Sequence, residues 1–175
     1  MKTLKREEAL KVWRAFWDGV QKEFFKVETL QEYLGEDVSP SLDEWLKGNR
    51  KRSIELMQTD RATRWVKLLG DKPGVRRIRI HVVEEPFTPY LQWEIEHYKN
   101  VSISLAGEEV YLVYKSDISD LQVSDFMMFD EERVTDSAYS ENGRLMSMDI
   151  YEKGEDIQRF IDIKQELMKH TKEVV

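Results

Sequence analysis

The segment VRRIRIHVV, residues 75–83, restricts the fold of this chain more than any other part of the sequence. β-branched residues alternate in it with charged ones, a pattern typical of a β-strand. Successive side chains of a strand point to opposite faces of the sheet. The alternation therefore puts three apolar side chains on one face and three cationic or titratable ones on the other: Ile78, Ile80 and Val82 opposite Arg77, Arg79 and His81.

A helix and a second strand are predicted directly after this strand. Thr88 can cap a helix that has Pro89 as its first residue, and this helix is expected to end before Gly107. The segment EEVYLVYK, residues 108–115, is then a second strand. A strand–helix–strand unit normally forms a parallel, right-handed crossover, so we expect parallel strands in the sheet.

Two hairpins and a closing helix are predicted in the C-terminal third. SDFMMFDEERV, residues 124–134, pairs two short strands across DEE, and Asn142–Gly143 is a strong hairpin signal between alternating segments. Residues 154–174 carry apolar side chains at helical spacing. Together these elements predict an α/β fold with a mixed sheet, and an α+β fold is the alternative.

The N-terminal region has the pattern of amphipathic helices. Residues 4–25 place aromatic and aliphatic side chains at helical spacing, and Gly19 weakens the second half of this helix. Residues 26–49 are interpreted as two short helical pieces and residues 50–70 as more helix. The chain is therefore predicted to begin with helices that precede the sheet.

Turn and cap residues divide the two short helical pieces. Gly35 and Pro40 interrupt the helical pattern of these two pieces. Ser41 followed by Glu44 matches a capping box at the start of the second piece. Gly48 is a candidate C-cap of the same piece.

Length and composition fit one compact domain. The chain has 175 residues, of which 41% are hydrophobic, and its five Trp residues help to build a core without metal or disulfide support. We expect residues 1–70 to form a helical region that packs on an α/β core of residues 71–175, all within one compact unit.

Composition also excludes several functions. The absence of cysteine rules out disulfides, thiolate nucleophiles and cysteine-ligated zinc or iron–sulfur sites. No run approaches the roughly 20 apolar residues of a membrane span, and the charged start does not match a signal peptide, so we predict a cytoplasmic location and no membrane contact. A net charge of −7 disfavours broad binding to nucleic acid.

The cationic strand face is the first candidate binding site. Arg77, Arg79 and His81 could grip a phosphate or carboxylate, with Asp125 or Asp130 orienting the two guanidinium groups. The alternative is that these cations reach solvent or form ion pairs with carboxylates such as Asp125 and Asp130. Replacing Arg77 and Arg79 by alanine distinguishes these two interpretations. Lost binding with an intact fold indicates a binding site, and lost folding indicates ion pairs.

A second cationic segment carries a weaker indication. Arg50, Lys51 and Arg52 are followed by Arg61 and Arg64, and the simplest interpretation is a solvated helix face. A nucleic-acid patch would need exposed aromatic side chains among these cations, and Trp65 is the one that the segment supplies. We therefore consider nucleic-acid binding unlikely for this chain.

The tripeptide His97-Tyr98-Lys99 is similar to the His-x-Lys start of a phospholipase-D-type phosphodiesterase motif. That chemistry needs an Asp to orient the His nucleophile, and Ser104 occupies its position. The three His residues of the chain, at positions 81, 97 and 170, show no metal-ligand spacing, and there is no glycine-rich phosphate loop. We therefore predict no catalytic residue, no metal and no cofactor.

Six short blocks, in this order and spacing, resemble a widespread uncharacterised bacterial domain family of unknown function. The blocks are FKVETLQEY, TRWVKLL, VRRIRIHVVEEPFTPYLQWEIEHYKN, AGEEVYLV, DFMMFDEERV and YSENGRL. The most telling pieces are Arg77–Ile80 leading to Glu85-Pro86, Tyr90 with Glu94, Asn100 with Gly107-Glu108, and Asp125-Phe126 with Asp130. The resemblance covers roughly residues 24–170, and the charged N-terminal helix, residues 4–22, departs from typical members.

The resemblance implies a regulatory, defence or toxin–antitoxin-like setting, because members are often encoded beside helix-turn-helix regulators. It implies no established catalytic activity, and the arrangement is similar to a non-catalytic phospholipase-D-like α/β domain. If the pattern marks a ligand site, its residues are Arg77, Arg79, His81, Tyr90, Glu94, Asn100, Glu108, Asp125 and Asp130. The alternative is that the polar members are buried caps and ion pairs that hold the helix on the sheet.

Three functions remain open from the sequence. The first is a non-enzymatic regulatory domain that binds a protein partner, such as a helix-turn-helix regulator, and is gated by an anionic small ligand. The second is a hydrolase or transferase acting on phosphate-containing substrates, and the third is a nucleic-acid-binding module. We rank them in that order.

Overall fold

A computed structural model of the chain describes residues 1–33, 39–58, 66–152 and 154–174. Within these residues the chain forms one eight-stranded mixed sheet, with strand order β1-β7-β6-β5-β2-β3-β4-β8. The strands are β1 (Lys2–Lys5), β2 (Glu23–Glu28), β3 (Arg76–Val83), β4 (Glu109–Tyr114), β5 (Asp125–Phe129), β6 (Arg133–Tyr139), β7 (Leu145–Tyr151) and β8 (Lys172–Glu173). The predicted α/β class and mixed sheet are confirmed.

Helices cover both faces of this sheet. They are α1 (Arg6–Gly19), α2 (Pro40–Leu46), α3 (Arg50–Met57), α4 (Pro89–His97), which continues into a π-helical turn (Tyr98–Ile103), and α5 (Gly154–Lys169). A 3₁₀ turn (Lys115–Ile118) follows β4, and residues 66–70 are also helical. No helix in the described part of the chain combines the length and apolar character needed to cross a bilayer.

The centre of the sheet is parallel. β2 pairs with β3, and β3 with β4, all in the same direction. The predicted β3–α4–β4 crossover is therefore confirmed, and its helix begins as expected: the Thr88 side chain accepts a hydrogen bond from Leu91 N at 3.1 Å, with Pro89 at the first helical position.

Both predicted hairpins and the closing helix are present. β5 and β6 pair around the turn at residues 130–132, in which Asp130 and Glu131 have φ angles of 56° and 57°. β6 and β7 pair around Asn142–Gly143, where Gly143 has a φ of 75° that favours glycine. The closing helix α5 then packs on the face of the sheet opposite α1.

The predicted helix over residues 4–25 is wrong at both ends. Residues 2–5 form the edge strand β1, α1 ends at Gly19, and Phe24 and Phe25 lie in β2. Phe24 packs on the α1 side of the sheet and Phe25 on the α5 side. A central strand buried on both faces lacks polar alternation, so its paired phenylalanines fit a helical pattern equally well.

The short helical pieces are confirmed in part. Pro40–Leu46 is helical, and Gly48 follows it with the left-handed φ of 86° expected after a helix. The capping box is wrong, because Ser39 is the N-cap and Ser41 lies inside the helix, where its Oγ accepts from Trp93 Nε1 at 3.1 Å.

Two parts of the N-terminal prediction cannot be compared with the structure. Gly35 lies outside the described residues. So does the middle of the predicted helix over residues 50–70, including Arg61, Arg64 and Trp65.

Four apolar clusters build the core of the described residues; the smallest surrounds Leu91, and the other three leave a gap between them. One lies between the sheet and α5, and a second lies between the sheet and α1. The third joins α2, α3 and α4 on the same face of the sheet as α1, around Trp45, Met57 and Trp93. Between the second and third clusters, the polar face of β2 and β3 forms the floor of a cavity.

Candidate ligand-binding site

A cavity of about 650 Å³ lies on the α1 side of the sheet, a volume in the range of small-molecule sites. α1 forms one wall, the segment from Ser39 through α3 together with α4 forms the other, and the strands form the floor. The polar side chains that line it are Lys26, Glu28, Ser39, Ser41, Arg79, Glu94, His97, Tyr98 and Ser102, and the remaining rings are Trp13, Tyr33, Tyr90, Trp93 and Tyr139. The cavity therefore has aromatic walls and a floor of charged side chains.

The charges of the floor are paired with one another. Arg79, only 6% exposed, donates to Glu28 Oε2 at 2.9 Å and to Glu108 Oε1 at 3.2 Å. Lys26 Nζ donates to the other oxygen of Glu28. Burial alone would raise the pKa of Glu28, but the adjacent Arg79 and Lys26 charges hold it well below its usual value. The four groups thus form a compensated set of two cations and two carboxylates.

His81 lies beneath this floor with both ring nitrogens engaged. Nε2 lies 2.9 Å from the carbonyl of Leu30, so it carries the proton, and Nδ1 lies 2.8 Å from the hydroxyl of Tyr98. The same hydroxyl lies 2.9 Å from Glu28 Oε2, and its single proton can be donated to only one of these two acceptors at a time. Burial lowers the pKa of His81, so the ring is neutral at pH 7. A ring so enclosed is poorly suited to nucleophilic attack.

Glu94 is the polar group of the cavity that lacks a matching charge. It projects from α4, is 8% exposed, and its Oε2 forms no hydrogen bond with any residue that the structure describes. Nδ1 of His81 lies 3.5 Å from this oxygen. Burial and the nearby Glu28 carboxylate raise the pKa of Glu94 to about 8, so the acid is protonated at pH 7.

Glu28, His81 and Glu94 are also the one group of described residues whose donor atoms lie close enough to hold a metal ion, within 4.8 Å of one another. Glu28 is already bonded to Lys26 and Arg79, and His81 to Tyr98. A divalent ion would have to displace two cations from its own carboxylate ligand. The three residues are therefore a poor fit to a metal.

The aromatic walls are held in place by contacts with one another. The ring of Tyr33 lies 5.4 Å from Tyr139 and 6.4 Å from Tyr90, and Tyr90 lies 5.4 Å from Trp93. The Tyr33 hydroxyl donates to Asp125. Burial raises the pKa of Asp125 to about 6. The walls are thus rings that hold one another in place.

The structure brings together most of the residues proposed from the sequence. Arg79, Tyr90 and Glu94 line the cavity, Glu108 contacts Arg79, and His81 contacts Tyr98. Asp125 is linked to the wall through Tyr33. Lys26, Glu28 and Tyr98 also belong to the site and were not on the sequence list. A β-strand interpretation of EFFKVE would have placed Lys26 and Glu28 beside Arg79 and His81.

Three predicted residues have other roles. Arg77 donates to the carbonyl of Leu69 at 2.6 Å, and Asn100 donates to the carbonyl of Glu96 at 2.8 Å. Asp130 accepts hydrogen bonds from the backbone N–H groups of residues 21, 22 and 23 at 2.7–2.9 Å. All three lie outside the cavity lining.

The expectation that Asp125 or Asp130 orients Arg77 and Arg79 is wrong. Asp130 lies in the β5–β6 turn, beside the start of β2, and Asp125 accepts from Thr29 and Tyr33. The register of β2 against β3 instead puts Glu28 within reach of Arg79.

The His-x-Lys tripeptide does not form a phosphate-binding pair in this structure. His97 lies at the end of α4, with its ring 5.8 Å from that of Trp93, and lines the cavity. Lys99 donates to Glu96 at 3.2 Å, outside the cavity lining. His97 thus lines the cavity while Lys99 lies outside its lining, so the motif lacks its catalytic arrangement.

The raised pKa of Glu94 predicts a pH-dependent stability. An unfolded glutamate has a pKa of about 4.3. Between that value and about 8 the folded chain keeps a proton that the unfolded chain has lost, so the free energy of unfolding falls as pH rises, by up to about 1.4 kcal/mol per pH unit. Urea unfolding between about pH 6.5 and about 8 measures this slope, and Asp125 and His81 also contribute to it near the lower end of that range.

Glu94→Gln is the matched variant, because it keeps the shape of the protonated acid and cannot ionise. We expect it to flatten the slope between about pH 6.5 and about 8. An equal slope in both proteins would mean that Glu94 titrates normally.

Comparison with known proteins now identifies the family. A family model described as a domain of unknown function, DUF6879, matches residues 11–174. The chain belongs to the DUF6879 family. No curated protein sequence matches it. The DUF6879 match begins inside α1, so the expectation that the N-terminal helix departs from the family is wrong from residue 11 onwards.

Solved structures show which fold this DUF6879 domain has. A phospholipase D family member, Nuc from Salmonella typhimurium, superposes with a TM-score of 0.55 at 8% identity, covering 98% of this chain and 95% of Nuc. NucT from Helicobacter pylori gives a TM-score of 0.54 at 10% identity, covering 98% and 97%. The likeness to a phospholipase-D-like fold is confirmed, and at these identities it concerns the fold alone.

TrmBL2, an archaeal chromatin protein with a novel mode of DNA binding, shares the fold with a TM-score of 0.52 at 8% identity. The match covers 98% of the DUF6879 chain and 52% of TrmBL2, so this chain spans about half the length of that protein. The phospholipase-D-like fold therefore occurs both in a phospholipase D family member and in a DNA-binding protein.

Proposed function

We propose that this chain is a non-enzymatic ligand-binding domain whose cavity on the α1 side of the sheet binds a small organic molecule. The observation that carries the proposal is the cavity itself: about 650 Å³, walled by aromatic rings, with one buried carboxyl oxygen on its wall that lacks a partner among the described residues. Protein interiors seldom leave a space and an unsatisfied polar group side by side without a use for them.

The positions of the histidines support a role without catalysis. A histidine nucleophile must be accessible and oriented by a second group. His81 is fully buried with both nitrogens engaged, and His170 lies on the other side of the sheet beside Glu166. His97 lines the cavity, but Lys99 turns to Glu96. The three histidines of the chain therefore do not converge on one reacting centre.

The way the cavity is built supports the proposal of a regulatory role. Its walls come from α1 on one side and from α2, α3 and α4 on the other, so an occupant would tie separate elements together. Such an occupant can stabilise one arrangement of these elements for a protein partner to recognise. We propose a helix-turn-helix regulator as the kind of partner that recognises it.

A ligand screen against two matched variants tests the binding proposal. Leu10 lines the cavity rim from α1 and is 38% exposed, so Leu10→Trp narrows the entrance without disturbing the core. Lys11→Trp adds the same ring to the neighbouring exposed position. In a thermal-shift screen of small organic molecules, we expect hits that raise the Tm of the wild type and Lys11→Trp but not of Leu10→Trp. A ligand at 100 times its Kd stabilises by about 2.7 kcal/mol.

A phosphodiesterase assay separates binding from catalysis. We expect no turnover of bis(p-nitrophenyl) phosphate or single-stranded DNA, with or without divalent metals. Turnover that is lost in His97→Ala would favour the phosphate-hydrolase alternative. Hits that bind Leu10→Trp as well as the wild type would place binding outside the cavity.

A further inference from the structure

We propose that the ligand of this cavity is a small organic cation, an amine or amidine on an aromatic or apolar body, with the carboxylate of Glu94 as its counter-ion. The inference rests on the proposed function, since it names the chemical class that the same cavity takes. It follows from the charges of the floor, the position of Glu94 and the nature of the walls.

The charges of the floor leave room for one more positive charge. Lys26 and Arg79 are matched by Glu28 and Glu108, through contacts of 2.5 Å between Lys26 and Glu28, 2.9 Å between Arg79 and Glu28, and 3.2 Å between Arg79 and Glu108. Glu94 is a third carboxyl beside these two pairs. Once Glu94 has lost its proton, a ligand with a single positive charge would therefore complete the charge balance of the buried cluster.

The geometry of Glu94 fits a ligand donor. Its Oε2 is buried beside the cavity and forms no hydrogen bond with a described residue, although the Tyr98 side chain beside the carboxyl group helps to lower its pKa. The nearest ring nitrogen, Nδ1 of His81, lies 3.5 Å away and already faces the hydroxyl of Tyr98. An N–H group entering from the cavity would supply the missing hydrogen bond, and charge-assisted bonds of this kind are among the strongest in proteins.

The walls suit the rest of such a ligand. Trp93 and Tyr90 lie on the same helix as Glu94, and Trp13 faces them from α1. Cations are attracted to the faces of Trp and Tyr rings, and the apolar part of a ligand gains from the same surfaces. An acidic group surrounded by aromatic rings is the arrangement that recognises ammonium groups.

An anion fits this site less well. It would have to take Arg79 from Glu28 or Glu108 and leave a buried carboxylate without its partner, which is costly in a buried ion pair. The anionic ligand predicted from the strand face thus has to compete with two carboxylates of the chain itself.

Binding of a cation is coupled to proton release. The charged and titratable groups that face Glu94 are Lys26 and Glu28 from β2, Arg79 and His81 from β3, and Tyr98 from the π-helical turn; α2 and α3 contribute serine and apolar side chains. Burial raises the pKa of Glu94 to about 8, so a cation that pairs with it at pH 7 displaces its proton. The affinity for a cation therefore rises with pH up to about 8.

Calorimetric titration with three probes of one shape tests the proposal. Tryptamine is a cation, tryptophol is its neutral analogue and indole-3-acetate is an anion. At about pH 7.5 we expect tryptamine to bind about tenfold more tightly than tryptophol, and indole-3-acetate to bind most weakly, since a hydrogen bond to a charged group is worth about one decade or more in affinity. Titration in two buffers of different ionisation enthalpy is expected to show proton release with tryptamine alone.

Two substitutions on one helix provide the controls. Glu94→Gln cannot ionise, and we expect it to bind tryptamine and tryptophol equally and without proton release. Glu96→Gln changes a carboxyl on the same helix that lies outside the cavity lining and pairs with Lys99, and we expect it to behave as the wild type. Thermal unfolding of both variants verifies that they are folded.

The outcomes separate this inference from the function on which it rests. A preference of the wild type for tryptophol or indole-3-acetate, or a tryptamine affinity unchanged in Glu94→Gln, overturns the cation assignment. If the thermal-shift screen finds ligands that stabilise the wild type but not Leu10→Trp, the ligand-binding function stands whether or not the ligand is a cation. Failure of tryptamine to bind at low-millimolar concentration also overturns the assignment, and failure of the entire screen overturns the proposed function.

Discussion

Arg79→Ala is expected to lower the free energy of unfolding by about 3–5 kcal/mol, a large part of the stability of a domain of this size. The guanidinium is buried and bonded to Glu28 and Glu108, which are themselves 5% and 4% exposed. Its removal takes this guanidinium from both buried carboxylates and leaves Glu28 paired with Lys26 alone. Urea unfolding at neutral pH, followed by circular dichroism, measures the loss.

Arg76→Ala is the matched control on the same strand. The Arg76 side chain is 52% exposed and pairs with Glu109 at the surface, so its removal is expected to cost less than about 1 kcal/mol. Equal losses for the two variants would contradict the buried ion-pair network. The same reasoning predicts that the double alanine variant of Arg77 and Arg79 loses stability as well as binding.

Trp17→Ala is expected to cost about 3–5 kcal/mol, because it removes a large, fully buried ring from the core. Trp17 is 1% exposed, and its ring lies 5.3 Å from Phe24 on the sheet and 6.1 Å from Trp13. It therefore anchors α1, which forms one wall of the cavity. We also expect weaker binding of any cavity ligand, since the wall becomes less ordered.

Leu10→Ala provides the comparison on the same helix. Leu10 is 38% exposed and lies outside the buried core, so truncation there is expected to change the free energy of unfolding by less than about 1 kcal/mol. Chemical unfolding of both variants gives the two values directly. A Trp17→Ala variant as stable as Leu10→Ala would mean that α1 is not anchored on the sheet through this ring.

The sequence was most informative where local chemistry determines structure. The alternation of residues 75–83 predicted β3, and Thr88 with Pro89 predicted the start of α4. Asn142–Gly143 predicted the β6–β7 hairpin. Each of these patterns acts over a few residues and depends little on the rest of the fold.

The sequence was least informative for β2, where it predicted a helix. This wrong assignment also affected the prediction of the site. Phe24 and Phe25 are buried on opposite faces, so the strand lacks the polar alternation that revealed β3. With β2 assigned to a helix, Lys26 and Glu28 could not be placed beside Arg79. Arg79, His81, Tyr90 and Glu94 were nevertheless proposed from strand alternation and family resemblance, and the fold brings them to one cavity or its floor.

The pairing of charges could not be predicted, because it depends on the register between strands distant in sequence. β2 and β3 are aligned so that Glu28 is opposite His81 and next to Arg79. A shift of one residue would turn Glu28 to the other face of the sheet. Among the thirty-four acidic residues of the chain, composition alone gives no reason to select this one.

Native mass spectrometry of the gently purified protein, compared with Leu10→Trp, tests the central claim most directly. Our account predicts a retained small-molecule mass on the wild type that is lost from the variant with the narrowed cavity, and that competes with added tryptamine. A small molecule retained equally by both proteins, or a retained nucleic acid in place of one, would contradict the assignment of function to this cavity.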